Sequence, residues 1–498
     1  MSAGLRRFEP AAAALLGALQ TLAFVHTAWW PLPLLTTAWL AWRLEAASPR
    51  RAALLGWCYG TAWLCAGVWW LFISMHRYGA LPAPLAAAAV FLLSAVLALY
   101  LATACAAYAK WRRGTGFDTL LFAALWLLAE LARGVIFTGF PWVASGYAQV
   151  DSPLAALAPW LGVYGIGAVG AFAAAALARL RLGPRATVPA AAAAALLLAT
   201  TVAPHEFTQP AGDLRVALLQ TNVAQDEKLA AERMPETLAW VARELLAAQA
   251  DLVVAPETAV PLLPGELDSF APGYWQALQA HFARPDRAAL VGVPLGDFER
   301  GYTNSVAGLG AGPAYRYDKL HLVPFGEFIP TGFRWFTELM NIPLGDFARG
   351  VLNPPSFAVG TQRVAPNICY EDLFGEELAR RFADPALAPT VFANISNLGW
   401  FGDSSAIPQH LAISRMRSLE FQRPMLRATN TGATAAIDHR GEVTAMLTPL
   451  TRGVLVAQVQ GRTGSTPFSW WASRAGLWPL LLAAAAVLAW AISRRRRA

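Results

Sequence analysis

Val364-Ala365-Pro366-Asn367-Ile368-Cys369-Tyr370-Glu371 carries an apolar, strand-like run into a helix-like stretch, Glu371 to Phe382. The pattern predicts a strand-to-helix elbow with Cys369 at its tip, where the positive end of a helix favours a thiolate. The same alternation extends on both sides. β-rich runs stand at Leu214–Gln220, Leu252–Ala255, Ala289–Pro294, Ser305–Leu309, Val364–Ile368, Thr390–Ile395, Met425–Thr429, Thr434–Ile437 and Val454–Val459. Helix-like stretches fall at Leu229–Gln249, Tyr274–Phe282, Glu371–Phe382 and Ile407–Phe421. Strands and helices in turn predict a layered α/β domain over residues 204–470, long enough for one large core.

Outside that domain the chain is lipid-like. It has 498 residues, 56% of them hydrophobic, and 20 tryptophans, too apolar for an ordinary soluble protein. Windows able to cross a hydrocarbon core lie near 10–27, 29–44, 52–74, 82–109, 119–136, 153–178, 187–203 and 475–492, eight spans in all. The sixth holds Pro159 with Gly162, Gly165 and Gly167, which predicts a kink or a split. Domains are therefore expected at 1–203 (seven spans), 204–470 (the α/β domain) and 471–498 (the eighth span and a basic tail).

Basic residues orient the spans. Arg6 and Arg7 precede the first, and Arg43, Arg50, Arg51, Lys110, Arg112, Arg113, Arg179, Arg181, Arg185 and Arg494 to Arg497 follow the even-numbered ones. By the positive-inside rule both termini are cytoplasmic and 204–470 is exported. The net charge of +7 is a topological charge, because 204–470 holds 21 Lys or Arg against 27 Asp or Glu and offers no basic surface to nucleic acid. The first apolar run reads as a span and not as a cleavable signal peptide. Cys58, Cys65 and Cys105 fall inside spans as packing residues, which leaves Cys369 as the one cysteine of the exported domain, without a disulfide partner there.

Three reactive side chains stand at predicted strand ends. Glu257, in Val253-Val254-Ala255-Pro256-Glu257-Thr258, is a carboxylate at a sheet rim, where burial would make it a competent base. Lys319, in Tyr315-Arg316-Tyr317-Asp318-Lys319-Leu320-His321, is an ammonium able to stabilise an oxyanion beside a reacting carbonyl. Cys369 is the third. Any one of them alone also reads as an ordinary surface or core residue.

Together, in the order Glu, Lys, Cys on separate strand ends, they resemble the nitrilase superfamily. Eight spans with such a domain before the last resemble its membrane-embedded branch, the apolipoprotein N-acyltransferase family. Gly139-Phe140-Pro141-Trp142, Pro256-Glu257-Thr258, Lys319-Leu320-His321-Leu322-Val323-Pro324-Phe325-Gly326-Glu327, Cys369-Tyr370-Glu371, Trp400-Phe401-Gly402-Asp403, and Arg415 to Glu420 with Arg423-Pro424 all carry the likeness. One departure is Leu229, where the family often has tryptophan.

The resemblance implies a membrane bundle plus an αββα sandwich. It also implies a multi-pass location in the bacterial inner membrane, with the catalytic domain in the periplasm. Glu257 is then the general base, Lys319 the oxyanion stabiliser and Cys369 the nucleophile, with Glu327 positioning Lys319 or relaying protons. The implied reaction moves an acyl chain from a phospholipid, through a Cys369 thioester, to the α-amine of a lipoprotein's diacylglyceryl-cysteine. Tyr370 N–H is a natural second oxyanion donor. For Glu371, a catalytic role and a favourable charge at a helix start both stay open, as do lining and packing roles for Trp400, Asp403 and His410. Glu130 and Arg133, costly against lipid, are expected to face the bundle or the surface, and His321 to be a structural hydrogen-bonding residue. No metal spacing and no phosphate loop is present, so no cofactor is inferred. Two rivals stand beside this reading: a membrane-anchored amidohydrolase with the same triad, and a non-enzymatic lipid or cargo transporter.

Overall fold

The structure is a computed structural model and describes residues 7–180, 191–195, 205–228, 230–297, 299, 301–330, 332 and 347–495. Its contacts divide the chain into two compact units, one of Met1–Phe72, Pro82–His205 and Ala475–Ala498, the other of Ile73–Leu81 and Glu206–Arg474. Leu229 and most of the expected span 187–203 lie outside the described residues.

The first unit is helical. Ala83–Trp111, Phe117–Thr138 and Pro153–Arg179 are each long and apolar enough to cross a membrane. Two further pairs, Pro49–Gly67 with Leu71–Tyr78 and Pro467–Ala475 with Trp478–Arg494, meet the same test when each is counted as one span. The window 10–27 folds as a helix, Glu9–Leu19, followed by a tighter turn, Gln20–Phe24. Within Ala158–Arg179, Pro159 sits in the first turn, where its missing N–H costs nothing, and Gly162 breaks the helix at φ +65. Glu130 and Arg133 turn into the bundle, 3% and 4% exposed, as an ion pair at 3.6 Å. Arg133 donates to the carbonyls of Phe140 (2.8 Å) and Trp142 (2.7 Å), while Glu130 accepts from Ser145 N (2.7 Å) and Oγ (2.9 Å). The pair therefore pins both ends of the Gly139 to Trp142 loop, which is how two charges become tolerable at this depth.

Among the described residues the second unit is built on twelve strands: β1 (Thr208–Gln220), β2 (Leu252–Val254), β3 (Ala288–Asp297), β4 (Gly301–Leu309), β5 (Tyr315–Asp318), β6 (Phe357–Val359), β7 (Gln362–Ile368), β8 (Val391–Ser396), β9 (Met425–Thr429), β10 (Ala435–Ile437), β11 (Val443–Met446) and β12 (Gly453–Gly464). They form two six-stranded sheets, ordered β12-β1-β2-β3-β4-β5 and β11-β10-β9-β8-β7-β6. Each has three parallel strands at its centre, β1-β2-β3 and β7-β8-β9, flanked by antiparallel ones.

Period-two alternation explains the layering. In β1, Leu214, Val216 and Leu218 join Val364, Ile368, Val391, Ile395 and Leu426 of the other sheet in one core between the sheets. The alternate residues Ala217 and Leu219 instead meet Leu238, Val241 and Leu245 of helix Met234–Ala247 and Leu278 and Phe282 of helix Tyr274–Phe282. On the far face, Phe382, Phe392, Phe421 and Phe468 cover the second sheet. The second unit is a helix–sheet–sheet–helix sandwich.

The expected helix from Glu371 to Phe382 does not form as one piece. It is a 3-10 turn, Cys369–Leu373, a short helix, Gly375–Ala379, and a second turn, Arg380–Phe382. The break falls at Phe374, whose φ −106 and ψ 74 leave the helical region, and Gly375 then opens the short helix at a place where a Cβ would collide with the guanidinium of the fully buried Arg417. Strands β5, β6 and β11 are additions to the sequence reading. All three are short and lie at sheet edges, and β11 is largely exposed, so none offers the sustained apolar alternation that marks a buried strand.

Candidate active site

The loops that follow β1, β2, β5, β7, β8 and β9 supply the site. Side chains at the ends of parallel strands are the usual occupants of such a rim. Glu257 stands three residues past β2, Lys319 one past β5, Cys369 one past β7 and Asn397 one past β8. Gly292 lets the Glu257 loop settle against β3, because a Cβ there would collide with the Pro256 carbonyl and the Glu257 Cα.

Glu257, Lys319 and Glu327 are 7%, 1% and 8% exposed. Lys319 Nζ donates to Glu327 Oε1 at 2.9 Å and, more weakly, to Glu257 Oε1 at 3.4 Å. Burial works against the ammonium, but the Glu327 and Glu257 carboxylates outweigh it and hold the Lys319 pKa above the usual lysine range. Glu327 is anchored in turn by Val323 N at 2.8 Å. Asn304, on β4, bridges the two acids, with its Nδ2 2.7 Å from Oε1 of each. The second Glu257 oxygen accepts from Asn397 N at 2.8 Å.

Cys369 has φ +53, the left-handed region that a β-carbon disfavours. Burial, then the Glu257 carboxylate, push its thiol up from the ordinary cysteine value, with Lys319 and the Asn397 N–H opposing. The expectation of a helix-stabilised thiolate is corrected here: the turn after Cys369 is a five-residue 3-10 turn, and desolvation dominates. Desolvation therefore favours the neutral thiol at Cys369.

The other expected site residues divide. Tyr370 is buried, with its ring against His321 and Phe374. The Glu371 carboxylate accepts from Ile368 N (2.7 Å), Tyr317 Oη (2.6 Å), Leu320 N (2.8 Å) and His321 N (3.2 Å). It thus fastens the turn carrying Cys369 to the segment carrying Lys319, and burial raises its pKa against those hydrogen bonds. Glu371→Leu orphans all four donors and is expected to cost about 2–4 kcal/mol, read as a lowered urea or thermal unfolding midpoint. An unchanged midpoint would remove Glu371 from this fastening role. Trp400 is partly buried and meets Tyr78 edge-on at 5.5 Å. His321 bonds Glu377 Oε1 through Nδ1 at 2.9 Å and stacks on Phe374.

Sequence reasoning passed over Asn304, Asn397 and Lys228. Lys228 Nζ donates to the Glu257 carbonyl at 3.0 Å and to Thr258 Oγ1, bracing the turn that presents the acid. Burial pulls its pKa down to about 8 against Glu257 and Cys369. The available signals were faint: a polar Thr303-Asn304-Ser305 run inside a strand, and an asparagine immediately past β8.

Comparison with known proteins agrees with this architecture. Residues 16–176 match the apolipoprotein N-acyltransferase N-terminal domain, and residues 215–468 match the carbon-nitrogen hydrolase domain. An apolipoprotein N-acyltransferase of Verminephrobacter eiseniae is 54% identical over 485 residues, covering 90% of this chain and 89% of the relative. One from Ralstonia nicotianae is 46% identical over 505 residues (99% and 94% covered), and one from Chromobacterium violaceum 41% over 488 (96% and 92%). With both of its domains matched and these relatives aligned over nearly their whole length, the chain belongs to the apolipoprotein N-acyltransferase family.

Proposed function

We propose that this protein moves an acyl chain from a phospholipid to the α-amine of the diacylglyceryl-cysteine at a lipoprotein's N-terminus, through a thioester on Cys369. The observation that carries the mechanism is the buried cluster in which Lys319 binds Glu327 and Glu257 while the charges of Glu257 and Lys319 act on the Cys369 thiol. Glu257 takes the thiol proton as sulfur attacks the ester carbonyl, and the carbonyl π pair moves onto oxygen. The Lys319 ammonium and the Tyr370 N–H stabilise that oxyanion. Its collapse breaks the C–O bond, and Glu257 returns the proton to the leaving lysophospholipid oxygen. In the second half the acceptor amine attacks the thioester and gives its proton to Glu257. The C–S bond then breaks and the thiol is re-formed. Glu327 and Asn304 hold Lys319 and Glu257 in register throughout.

Both substrates are lipid-anchored, which gives the membrane unit its purpose. The proposed topology has eight spans, both termini in the cytoplasm and residues 204–470 on the periplasmic side of the inner membrane. That side is where a thioester can meet an exported lipoprotein.

The test is direct. Protein incubated with acyl-labelled phospholipid is expected to gain a hydroxylamine-sensitive label on Cys369, which a diacylated lipopeptide then discharges. Glu257→Gln is expected to slow labelling by about 10²–10⁴-fold, the usual worth of a general base. Label that the lipopeptide leaves in place, or ammonia released from small amides instead, would sink the acyl-transfer reading. Normal labelling of Glu257→Gln would remove Glu257 from the base role.

A further inference from the structure

Helix Ala406–Phe421 is buried, yet among its buried residues are Gln409, His410, Ser414, Arg417, Ser418 and Glu420. A polar helix inside a sandwich core has to satisfy those groups. His410 and Ser414, one turn apart, face a network behind the nucleophile. Arg427, on β9 and fully buried, reaches Asp372 Oδ2 at 3.4 Å, His410 Nδ1 at 3.1 Å, the His410 carbonyl at 3.4 Å, Asn394 Oδ1 at 3.5 Å and Ser414 Oγ. Ser414 also donates to Asp372, three residues past Cys369.

A guanidinium only donates, so Nδ1 of His410 accepts and the ring proton sits on Nε2. Burial and Arg427 keep the imidazole pKa well below its ordinary value, so the ring is neutral. Nε2–H then points at the Cys369 carbonyl, 3.2 Å away, and Asn394 Nδ2 donates to the same oxygen at 3.2 Å. Asn394 also donates to Asn367 Oδ1 at 2.6 Å, which fixes its amide orientation.

That oxygen belongs to the peptide bond whose other end is Tyr370 N–H. In a trans peptide the two point in opposite directions, so gripping the oxygen sets the direction of the N–H. We infer that His410 and Asn394, held by Arg427 and Asp372, are positioning residues that lock the Cys369–Tyr370 peptide and thereby aim the Tyr370 N–H as an oxyanion donor. The inference rests on the acyl-transfer reading above. It also accounts for a non-glycine residue at φ +53: the two donors hold the peptide that an unsupported Cys369 would rotate.

Two chemistries on one thiol separate this role from general support. Alkylation by iodoacetamide passes through no oxyanion, whereas acylation by phospholipid does. His410→Leu is expected to slow Cys369 acylation by about 10²-fold or more, the usual worth of an oxyanion donor. Its alkylation rate should stay within about threefold of wild type, and the KM for phospholipid should not move. His410→Gln, whose Nε2 can donate from nearly the same place, is expected to recover at least about tenfold of the loss. Should His410→Leu not fold, Asn394→Ala carries the test, with acylation falling and alkylation unchanged as the supporting result. Acylation at the wild-type rate in a folded variant overturns the inference. So does a parallel fall of acylation, alkylation and thermal midpoint. Failure of the underlying reading is separate, because wild-type protein would then form no thioester at all.

Discussion

Cys369→Ala is expected to keep its fold and to lose acyl-enzyme formation and acyl transfer together, on the order of 10⁵–10⁶-fold, as when the nucleophile of a catalytic unit is removed. The fold survives because Cys369 is only partly buried against the sandwich core, and its carbonyl, held by His410 and Asn394, is kept in the variant. Alanine also meets the strain at φ +53 no worse than cysteine does. The unfolding midpoint should therefore shift by the equivalent of about 1 kcal/mol at most. Cys369→Ser is a sharper probe. Its hydroxyl is a far weaker nucleophile near neutral pH, and Glu257 alone does not offset that difference. Transfer near the wild-type rate in the alanine variant would mean the acyl chain never rests on residue 369, whereas transfer above about one thousandth of wild type in the serine variant would mean that Glu257 offsets the weaker nucleophile.

The second large effect is expected from Lys319→Met, which should damage activity and stability at once. Activity should fall by about 10²–10³-fold through loss of the oxyanion partner. Stability should fall because Glu257 and Glu327, both buried and both bonded to the one Asn304 amide, lose the ammonium between them. Breaking a buried pair in this way costs about 3–5 kcal/mol. In the wild-type protein the raised Lys319 pKa contributes stability in full below the unfolded lysine value and loses it only as pH rises through the folded one. In the variant the two carboxylates face each other without the ammonium between them, so the deficit is expected to be larger near neutral pH than in acid. Urea midpoints of the two proteins between about pH 4 and 8 check the sign. A deficit that does not change with pH would mean that Lys319 acts through packing alone.

Much of the fold was legible because burial leaves a periodic trace. Alternation in Leu214–Gln220 and the compact apolar runs around Val253 and Val391 marked strands whose two faces meet different layers. The long apolar windows marked the helical unit, and Pro159 with Gly162 marked its break. Glu257 and Cys369 stood out because each closely follows such a strand, whereas Lys319 follows the unread β5 and stood out through the family resemblance. Glu371 to Phe382 misled, since its composition suits a helix. It is interrupted at Phe374, which leaves the helical region, and local composition carries no sign of that.

The sequence by itself therefore determined the division into a lipid-facing and a polar part, the central strands and the three reactive side chains, because each follows from residue type and local spacing. Only the tertiary structure decided who holds them. Asn304 reaches acids 47 and 23 residues away, Asn397 reaches Glu257 across 140 residues, and Arg427 joins Asp372 across 55. A polar side chain in sequence gives no sign of whether water or a distant partner will satisfy it. That choice is made when two sheets close and take the water away, and the same loss of water raises the pKa of the Cys369 thiol.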